Sequence, residues 1–320
     1  MTGPLIGGMS GRDLALHLGL IAALFAAQYV LPPYHHTNFA RIMVLAVFAM
    51  GYNIAFGYTG LLSLGHALFF AAGLYAVGLG VTLAGLAPGP GLIAGVLAGA
   101  AVALVVGLLA LRTAGVAFMI VTLMFAQAGF LTVLYFGTWT RGDEGFVLQG
   151  AQRLLWGFDL SQPGPRYGAA LALFSVALIG NLALVRSRLG RIMVAMRENE
   201  ERSRMLGYDP FRVKLAALTL SGLYAGAAGA AYALLFGYVG ATFASIQYSI
   251  LPLLYVLLGG AGTVIGPFLG ALVMFYLIDL SSAVTTAHLF VVGAALLLLI
   301  LFAPKGILGT LRERVVRWLP

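Results

Sequence analysis

Long uninterrupted runs of apolar residues dominate this chain of 320 residues. A helix needs roughly 20 mostly apolar residues to cross a bilayer, whereas a membrane β-strand would be apolar only at every second position. Ten apolar runs lie at 14–31, 40–58, 61–83, 91–111, 115–136, 167–185, 213–236, 246–262, 264–284 and 288–303. The pattern predicts an all-α, polytopic transmembrane helical bundle of about ten spans, with residues 1–320 forming a single membrane domain.

The third and eighth runs are the weakest of the ten. The third contains Ser63 and His66 and is compatible with a broken or re-entrant helix, and the eighth is short and carries Pro252. If the third is re-entrant and another pair merges, eight spans remain. The first run also fits a signal peptide, but its basic flank is the single Arg12 and no small-residue cleavage site precedes Pro32. We therefore expect a retained span.

Composition excludes several classes of protein. Hydrophobic residues make up 61% and charged residues 9%, whereas a soluble domain carries about 25% charge. The absence of cysteine excludes disulfides, thiolate nucleophiles and thiolate metal sites. The net charge of +8 indicates basic loops that face an anionic membrane surface, not a nucleic-acid groove.

Basic residues are concentrated in two segments. Segment 186–214 holds eight arginines and lysines, and the tail 304–320 holds Lys305, Arg312, Arg314 and Arg317. By the positive-inside rule both should be cytoplasmic, while the charge-balanced loop 137–166 should face outward. Ten spans satisfy this arrangement with both termini inside, although Arg41 then falls on the outer side.

Segment 186–214 is the most informative connection. Residues from Ile192 to Leu206 look helical, Gly207 suits the position just past a helix end, and Pro210 blocks continuation. Two pairs at helical spacing, Glu198 with Arg202 and Glu200 with Arg204, would add about 0.2–0.5 kcal/mol each.

The same helix has apolar positions that are unsuited to full exposure, at Met193, Met196, Met205 and Leu206. It would either lie on the membrane or dock into a soluble partner. Anionic lipid would repel the acidic cluster Glu198, Glu200 and Glu201. This repulsion favours the partner.

Polar residues inside the apolar runs are candidates for a transport pathway, because they are costly in lipid. Asn53, Ser63 and His66 are close in sequence, and Asp279 lies within the ninth run. For His66 the alternative is a packing role, with its ring bonded to neighbouring helices. For Asp279 the alternative is a place near the outer interface. We predict no metal site, since adjacent His35 and His36 point in different directions.

Four stretches resemble permease subunits of ABC importers for branched-chain amino acids, of the LivM type. They are Tyr52–Tyr75, which contains GYTGLLSLGHALFFAAGLY; WTRGDEGF at Trp139–Phe146; GRIMVAMRENEERSRMLGYDPFRVKLAALTLSGLYAGAAGAAYA at Gly190–Ala233; and GGAGTVIGPFLGA at Gly259–Ala271, followed by FAPKGILG at Phe302–Gly309. Together they are spread over nearly the whole chain.

The resemblance implies a role for the cytoplasmic segment and a set of partners. Contact with an ATP-binding subunit would fall on Arg197, Glu198, Asn199, Glu200, Glu201, Leu206 and Gly207. A second, different permease subunit, two ATP-binding subunits and a soluble binding protein are expected beside it in a bacterial cytoplasmic (inner) membrane. ATP and magnesium should bind the partner subunits, because neither Lys214 nor Lys305 lies in a phosphate-binding loop.

Three functional hypotheses follow. The first is a permease subunit for leucine, isoleucine and valine, or for urea, amides or another small solute carried by similar permeases. The second is an ion-coupled secondary transporter, for which Asp279 is almost the sole candidate acid. The third, an intramembrane enzyme, ranks last because no carboxylate pair or Ser/His/Asp set is evident.

Overall fold

A computed structural model describes residues 11–284 and 286–314, in which helices run back and forth between two ends of a bundle. A helix occupies each of the ten apolar runs. Their bounds are α1 Gly11–Val30, α2 Pro33–Asn53, α3 His66–Thr82, α4 Pro88–Ala110, α5 Val116–Tyr135, α7 Pro163–Arg186, α10 Pro210–Phe236, α11 Ile246–Gly259, α12 Gly266–Val284 and α13 His288–Phe302. The all-α prediction is confirmed.

Shorter elements connect these helices. They are the π-helical turn Ile54–Tyr58, α6 Gly137–Thr140, α8 Arg188–Glu198, α9 Glu200–Met205, α14 Gly306–Arg314 and the 3-10 turns Gly150–Arg153 and Ala241–Ala244. Two antiparallel strand pairs also form, β1 Phe146–Val147 with β4 Tyr238–Val239 and β2 Leu154–Leu155 with β3 Phe158–Asp159. Of the predicted tail 304–320, residues 315–320 with Arg317 lie outside the described residues.

Helix length separates two kinds of span. Within the described residues, seven helices are long and apolar enough to cross a membrane. The other three of the ten are shorter: α3 and α11, which are the two weakest predicted spans, have 17 and 14 residues, and α13 has 15. In α2 with its π-helical turn, 83% of the most apolar window is buried, against 17% in α1 and in α5. The α2 helix is therefore central, and α1 and α5 are peripheral.

The short helices α3 and α11 both begin inside the bundle. Irregular residues 59–65 precede α3, and residues 237–245 precede α11. The Ala67 amide in the first turn of α3 donates to Ser249 Oγ in the first turn of α11, at 3.0 Å. Next to this hydrogen bond, His66 contacts Ser221 of α10. Ser221 is the twelfth of the 27 residues of α10 and so lies near the middle of that helix. The third predicted span, 61–83, is thus an irregular segment of five residues followed by the 17-residue helix α3.

The basic elements meet at one end of the bundle. Asp13 at the start of α1 forms a salt bridge with Arg186, the last residue of α7. Gly260, after α11, packs against the Lys305–Gly309 backbone at the start of α14. At the opposite end Arg41 lies over the ring of Phe236, 5.1 Å from its centroid. We call these the α8 end and the loop end.

Glycine allows α4 and α10 to pack backbone to backbone. A Cβ atom added at Gly99 would lie 2.5 Å from the Cα of Gly226, and one at Gly226 would lie 2.8 Å from the Gly95 carbonyl oxygen. Such contacts are shorter than any side chain permits. The small-residue spacing in the sequence therefore corresponds to a close helix pair, as in other membrane bundles.

Candidate coupling surface and transport pathway

The arginine- and glutamate-rich segment forms two helices. The prediction of one helix from Ile192 to Leu206 is wrong, because α8 ends at Glu198 and α9 begins at Glu200. Between them Asn199 is extended, with φ −157°, and its side-chain oxygen accepts a hydrogen bond from the Arg202 amide at 2.8 Å. Asparagine is a preferred N-cap residue, since its short side chain competes for backbone donors. Glu198 therefore belongs to α8 and Arg202 to α9, so the two residues predicted to pair on one helix lie on different helices.

The end of α9 agrees with the sequence. Gly207 has φ +88°, the left-handed conformation that favours glycine. Asp209 then caps α10 by accepting from the Phe211 amide at 3.0 Å, and Pro210 occupies the first turn. These caps fix where the segment leaves α9 and re-enters the bundle.

The inner face of α8 is covered by its own chain. Met193 and Met196 are buried in a small apolar cluster with Ile54, Tyr58, Val213 and Ala217. The cluster joins α8 to the π-helical turn and to α10. This inner face is therefore not available to lie on a lipid surface.

The outer side of the segment has both charged and apolar residues. Glu198, Asn199 and Glu201 are exposed, and the side chains of Met205 and Leu206 are 85% and 71% exposed. Tyr208 and Phe211 continue the apolar part. Exposed apolar side chains rimmed by charge are typical of a surface that binds another protein. We call Glu198, Glu201, Met205, Leu206, Tyr208 and Phe211 the docking face.

Glu200, whose side chain is 40% exposed, braces α9 against α10. Its carboxylate accepts from Lys214 Nζ at 2.6 Å and lies 3.6 Å from Arg204. Lys214 belongs to α10, so the contact ties the segment to a central helix. Arg197 is an exposed residue, but its guanidinium reaches the bundle and donates to the Gly57 carbonyl oxygen.

Three of the four proposed pathway residues are fully buried near breaks in helices. Asn53 Nδ2 donates to the Thr263 carbonyl and its Oδ1 accepts from the Gly262 amide, both at 2.9 Å. Ser63 Oγ accepts from the Gly65 amide at 3.2 Å. His66 Nε2 lies 2.6 Å from Ser221 Oγ.

Asp279 stands apart from these three. Its carboxylate accepts from the Tyr34 hydroxyl at 2.6 Å, and Tyr34, at the start of α2, is 58% exposed. Arg197, at the α8 end, contacts Gly57 in the π-helical turn that follows the last residue of α2. The start of α2, where Tyr34 bonds to Asp279, therefore lies at the loop end. Across the described residues no group of three or more His, Asp or Glu side chains is arranged to hold a metal ion.

Sequence reasoning missed several polar contacts. Arg153 is only 8% exposed; its Nε donates to the Leu234 carbonyl at 2.6 Å, and its Nη2 donates to the carbonyls of Leu160, at 3.2 Å, and Leu235. Burial lowers the pKa of this guanidinium, and the charge of Arg166 adds to the effect; arginine nevertheless stays protonated. Its position in a polar loop gave no signal of burial.

Most of the chain matches a known protein family. A family model described as "Branched-chain amino acid transport system / permease component" matches residues 37–302. The high-affinity branched-chain amino acid transport system permease protein LivM of Escherichia coli (strain K12) is 30% identical over 297 residues, which cover 85% of this chain and 69% of that protein. LivM of Salmonella typhimurium is 29% identical over 296 residues, with the same coverage.

More distant permeases match part of the chain. The autoinducer 2 import system permease protein LsrC of Enterobacter sp. (strain 638) is 32% identical over 162 residues, which cover 46% of this chain and 44% of LsrC. No solved structure gives a significant match.

Proposed function

The chain belongs to the family of permease components of branched-chain amino acid transport systems, and we propose that it carries leucine, isoleucine and valine inward as one membrane subunit of an ATP-driven importer. The relatives named LivM are permeases of high-affinity branched-chain amino acid transport systems. The apolar interior suits aliphatic side chains. Asn53, Ser63 and His66 would supply the few polar groups along the path.

The docking face is the single observation that carries the coupling part of the proposal. Met205 and Leu206 are largely exposed beside Glu198 and Glu201, on a segment braced to α10 through Glu200. A soluble ATP-binding subunit that covered this face would bury its apolar side chains and satisfy its charges. The braced segment can then move as a rigid body when that subunit moves.

The remaining partners follow from the same assignment. A second, different permease would complete the pathway, two ATP-binding subunits would hold ATP and magnesium, and a soluble binding protein would deliver cargo at the loop end. The α8 end would face the cytoplasm, with both termini, in a bacterial inner membrane. The basic residues of segment 186–214 and Arg112 support this orientation.

Related permeases do not all belong to the same transport system. LsrC, whose name describes an autoinducer 2 import system, shows that related permeases serve other solutes. Urea, amides or another small organic molecule is therefore the alternative. An ion-coupled transporter is less favoured, because its candidate acid, Asp279, is bonded to a partly exposed tyrosine instead of lying among the buried polar residues.

The coupling proposal is tested by the double variant Met205→Glu, Leu206→Glu in the complex co-expressed with the ATP-binding subunits of its own system. Two carboxylates in a buried apolar contact should lower recovery of those subunits on the purified permease at least tenfold. Val147→Glu is the matched control, since Val147 is 69% exposed at the loop end. Unchanged recovery with the double variant would contradict the proposed docking face.

Cargo is tested in proteoliposomes that contain the complete system with its binding protein. ATP-dependent uptake of labelled leucine, isoleucine and valine is expected, with little uptake of labelled urea or acetamide. The reverse preference would move the assignment to the alternative cargo, and uptake by this chain alone without ATP would reject the importer.

A further inference from the structure

Arg197 connects α8 to the bundle interior. Although it lies in the segment expected to contact the ATP-binding subunit, its guanidinium donates to the Gly57 carbonyl oxygen, 140 residues away in sequence. Gly57 belongs to the π-helical turn that ends the central helix α2. The side chain therefore spans from the cytoplasmic segment to a break in a membrane helix.

Two glycines shape the site around this side chain. Gly60 and Gly262 both have φ +77°. A Cβ atom at Gly60 would lie 3.2 Å from Arg197 Cγ, and one at Gly262 would lie 3.2 Å from Arg197 Nη1. The arginine is thus held between residue 60, which follows the π-helical turn, and residue 262, in the turn that joins α11 to α12.

The chemistry suits a guanidinium. The last carbonyls of a helix lack amide partners within the helix and carry the negative end of its dipole. A planar guanidinium supplies several donors in fixed directions, and its hydrogen bonds are charge-assisted. Arg197 satisfies one such carbonyl, that of Gly57, and Thr59 Oγ1 donates to the Ile54 carbonyl at the start of the turn, at 2.9 Å.

Asn53 adds a second connection between α2 and the α11–α12 turn. Its amide group bonds to Gly262 and Thr263, so the end of α2 and the α11–α12 turn are held together one helical turn from Gly57. A displacement of α8 would therefore act through Arg197 on two adjacent irregular places, the π-helical turn and the α11–α12 turn. Such breaks deform more easily than the helices that they interrupt.

We propose that Arg197 is a positioning residue that transmits movement of α8 to the π-helical turn and to the α11–α12 turn. For Arg197, this role takes the place of the contact with the ATP-binding subunit that the family resemblance implied. The proposal rests on the proposed function, because ATP-binding subunits must drive the movement. It assigns a direction to each side of α8: Glu198 faces the motor and Arg197 faces the pathway.

The test compares Arg197→Ala and Arg197→Lys with Arg202→Ala, which removes the same charge from another exposed position in the same segment. In the complete complex, Arg197→Ala should retain the ATP-binding subunits within about twofold and lower ATP-dependent uptake at least tenfold. Arg197→Lys, which keeps charge but loses the planar fork, should be intermediate. Arg202→Ala should transport normally.

A structural probe separates transmission from general damage. Because the chain has no cysteine, Ala261→Cys gives a single labelling site in the α11–α12 turn, where residue 261 is partly exposed. Maleimide labelling should differ between the nucleotide-free and vanadate-trapped complex, and Arg197→Ala should abolish that difference. If Arg197→Ala fails to accumulate in the membrane, the same comparison is made with Arg197→Lys.

Each other outcome rejects the proposal in a recognisable way. Normal uptake and nucleotide-dependent labelling in Arg197→Ala would show that Arg197 transmits nothing. Loss of the ATP-binding subunits from Arg197→Ala alone would make it a docking residue, which overturns this inference but supports the proposed function. If the unmodified permease bound no ATP-binding subunit, both would fail.

Discussion

Replacing Arg153 by alanine should loosen the loop end without unfolding the bundle. Arg153 is buried, and its guanidinium donates to the carbonyls of Leu160, Leu234 and Leu235. The last two lie in the final turn of α10, where the helix leaves carbonyls unpaired. The same side chain therefore caps α10 and holds the loop against it.

The size of the effect follows from the three carbonyls. Each buried carbonyl left without a donor costs about 1–3 kcal/mol, and water that enters the vacated space returns part of this. We expect a net loss of about 3–4 kcal/mol in the local stability of the loop, which corresponds to a roughly 100- to 1,000-fold rise in its open population. Arg153→Lys should lose less, since an ammonium group cannot reach all three acceptors in the same geometry.

Hydrogen exchange measured by mass spectrometry reports this opening directly. The Leu148 amide donates to the Gly237 carbonyl at 2.7 Å, so peptides covering residues 144–160 should lose protection in Arg153→Ala. Arg141→Gln is the matched control, because it removes one positive charge from an exposed position in the same loop. Equal protection in Arg153→Ala and the unmodified chain would refute the argument that Arg153 holds the loop.

Two further predictions concern helix contacts. Gly226→Leu should push α10 away from Gly99 and lower the stability of the detergent-solubilised protein by about 3 kcal/mol or more. The control Gly168→Leu should leave the melting temperature nearly unchanged, because an added Cβ at Gly168 meets nothing within 4 Å. Similar melting temperatures for the two variants would contradict close packing of α4 and α10. Asp13→Asn should weaken the salt bridge that joins α1 to Arg186 by about 1–3 kcal/mol, measured by thermal unfolding, and an unshifted transition would show that α1 is held by apolar contacts instead.

Local sequence properties predicted most of the helices. Each apolar run is a continuous property of neighbouring residues, so the run containing Ser63 and His66 could be recognised as interrupted. The α8–α9 break had a weaker signal, since Asn199 followed by two glutamates also fits a helix N-terminus. The helical spacing of Glu198 with Arg202 and of Glu200 with Arg204 instead predicts one continuous helix.

The polar contacts of the site depended on long-range packing. Arg197 and Gly57 are 140 residues apart, and Arg153 and Leu234 are 81 apart. Neither charge pattern nor hydropathy indicates that an arginine in a basic segment will turn inward. Asp279 illustrates the same difficulty, because its depth depends on where a span ends, and apolar runs do not fix that boundary.

The α10 helix connects the three regions of the molecule in a way that limits how they can move. Lys214 near its start holds α9, Ser221 near its middle contacts His66, and the carbonyls of its last turn accept from Arg153. Over the stretch between these points glycine contacts leave no free space between α10 and α4, so the two helices must move together. Relative movement is therefore concentrated where the backbone is already broken, at the starts of α3 and α11 and at the turn beside Arg197. Under the proposed function, these breaks are the places at which a movement of α8 and α9 would alter the pathway while the packing of α10 against α4 stays intact.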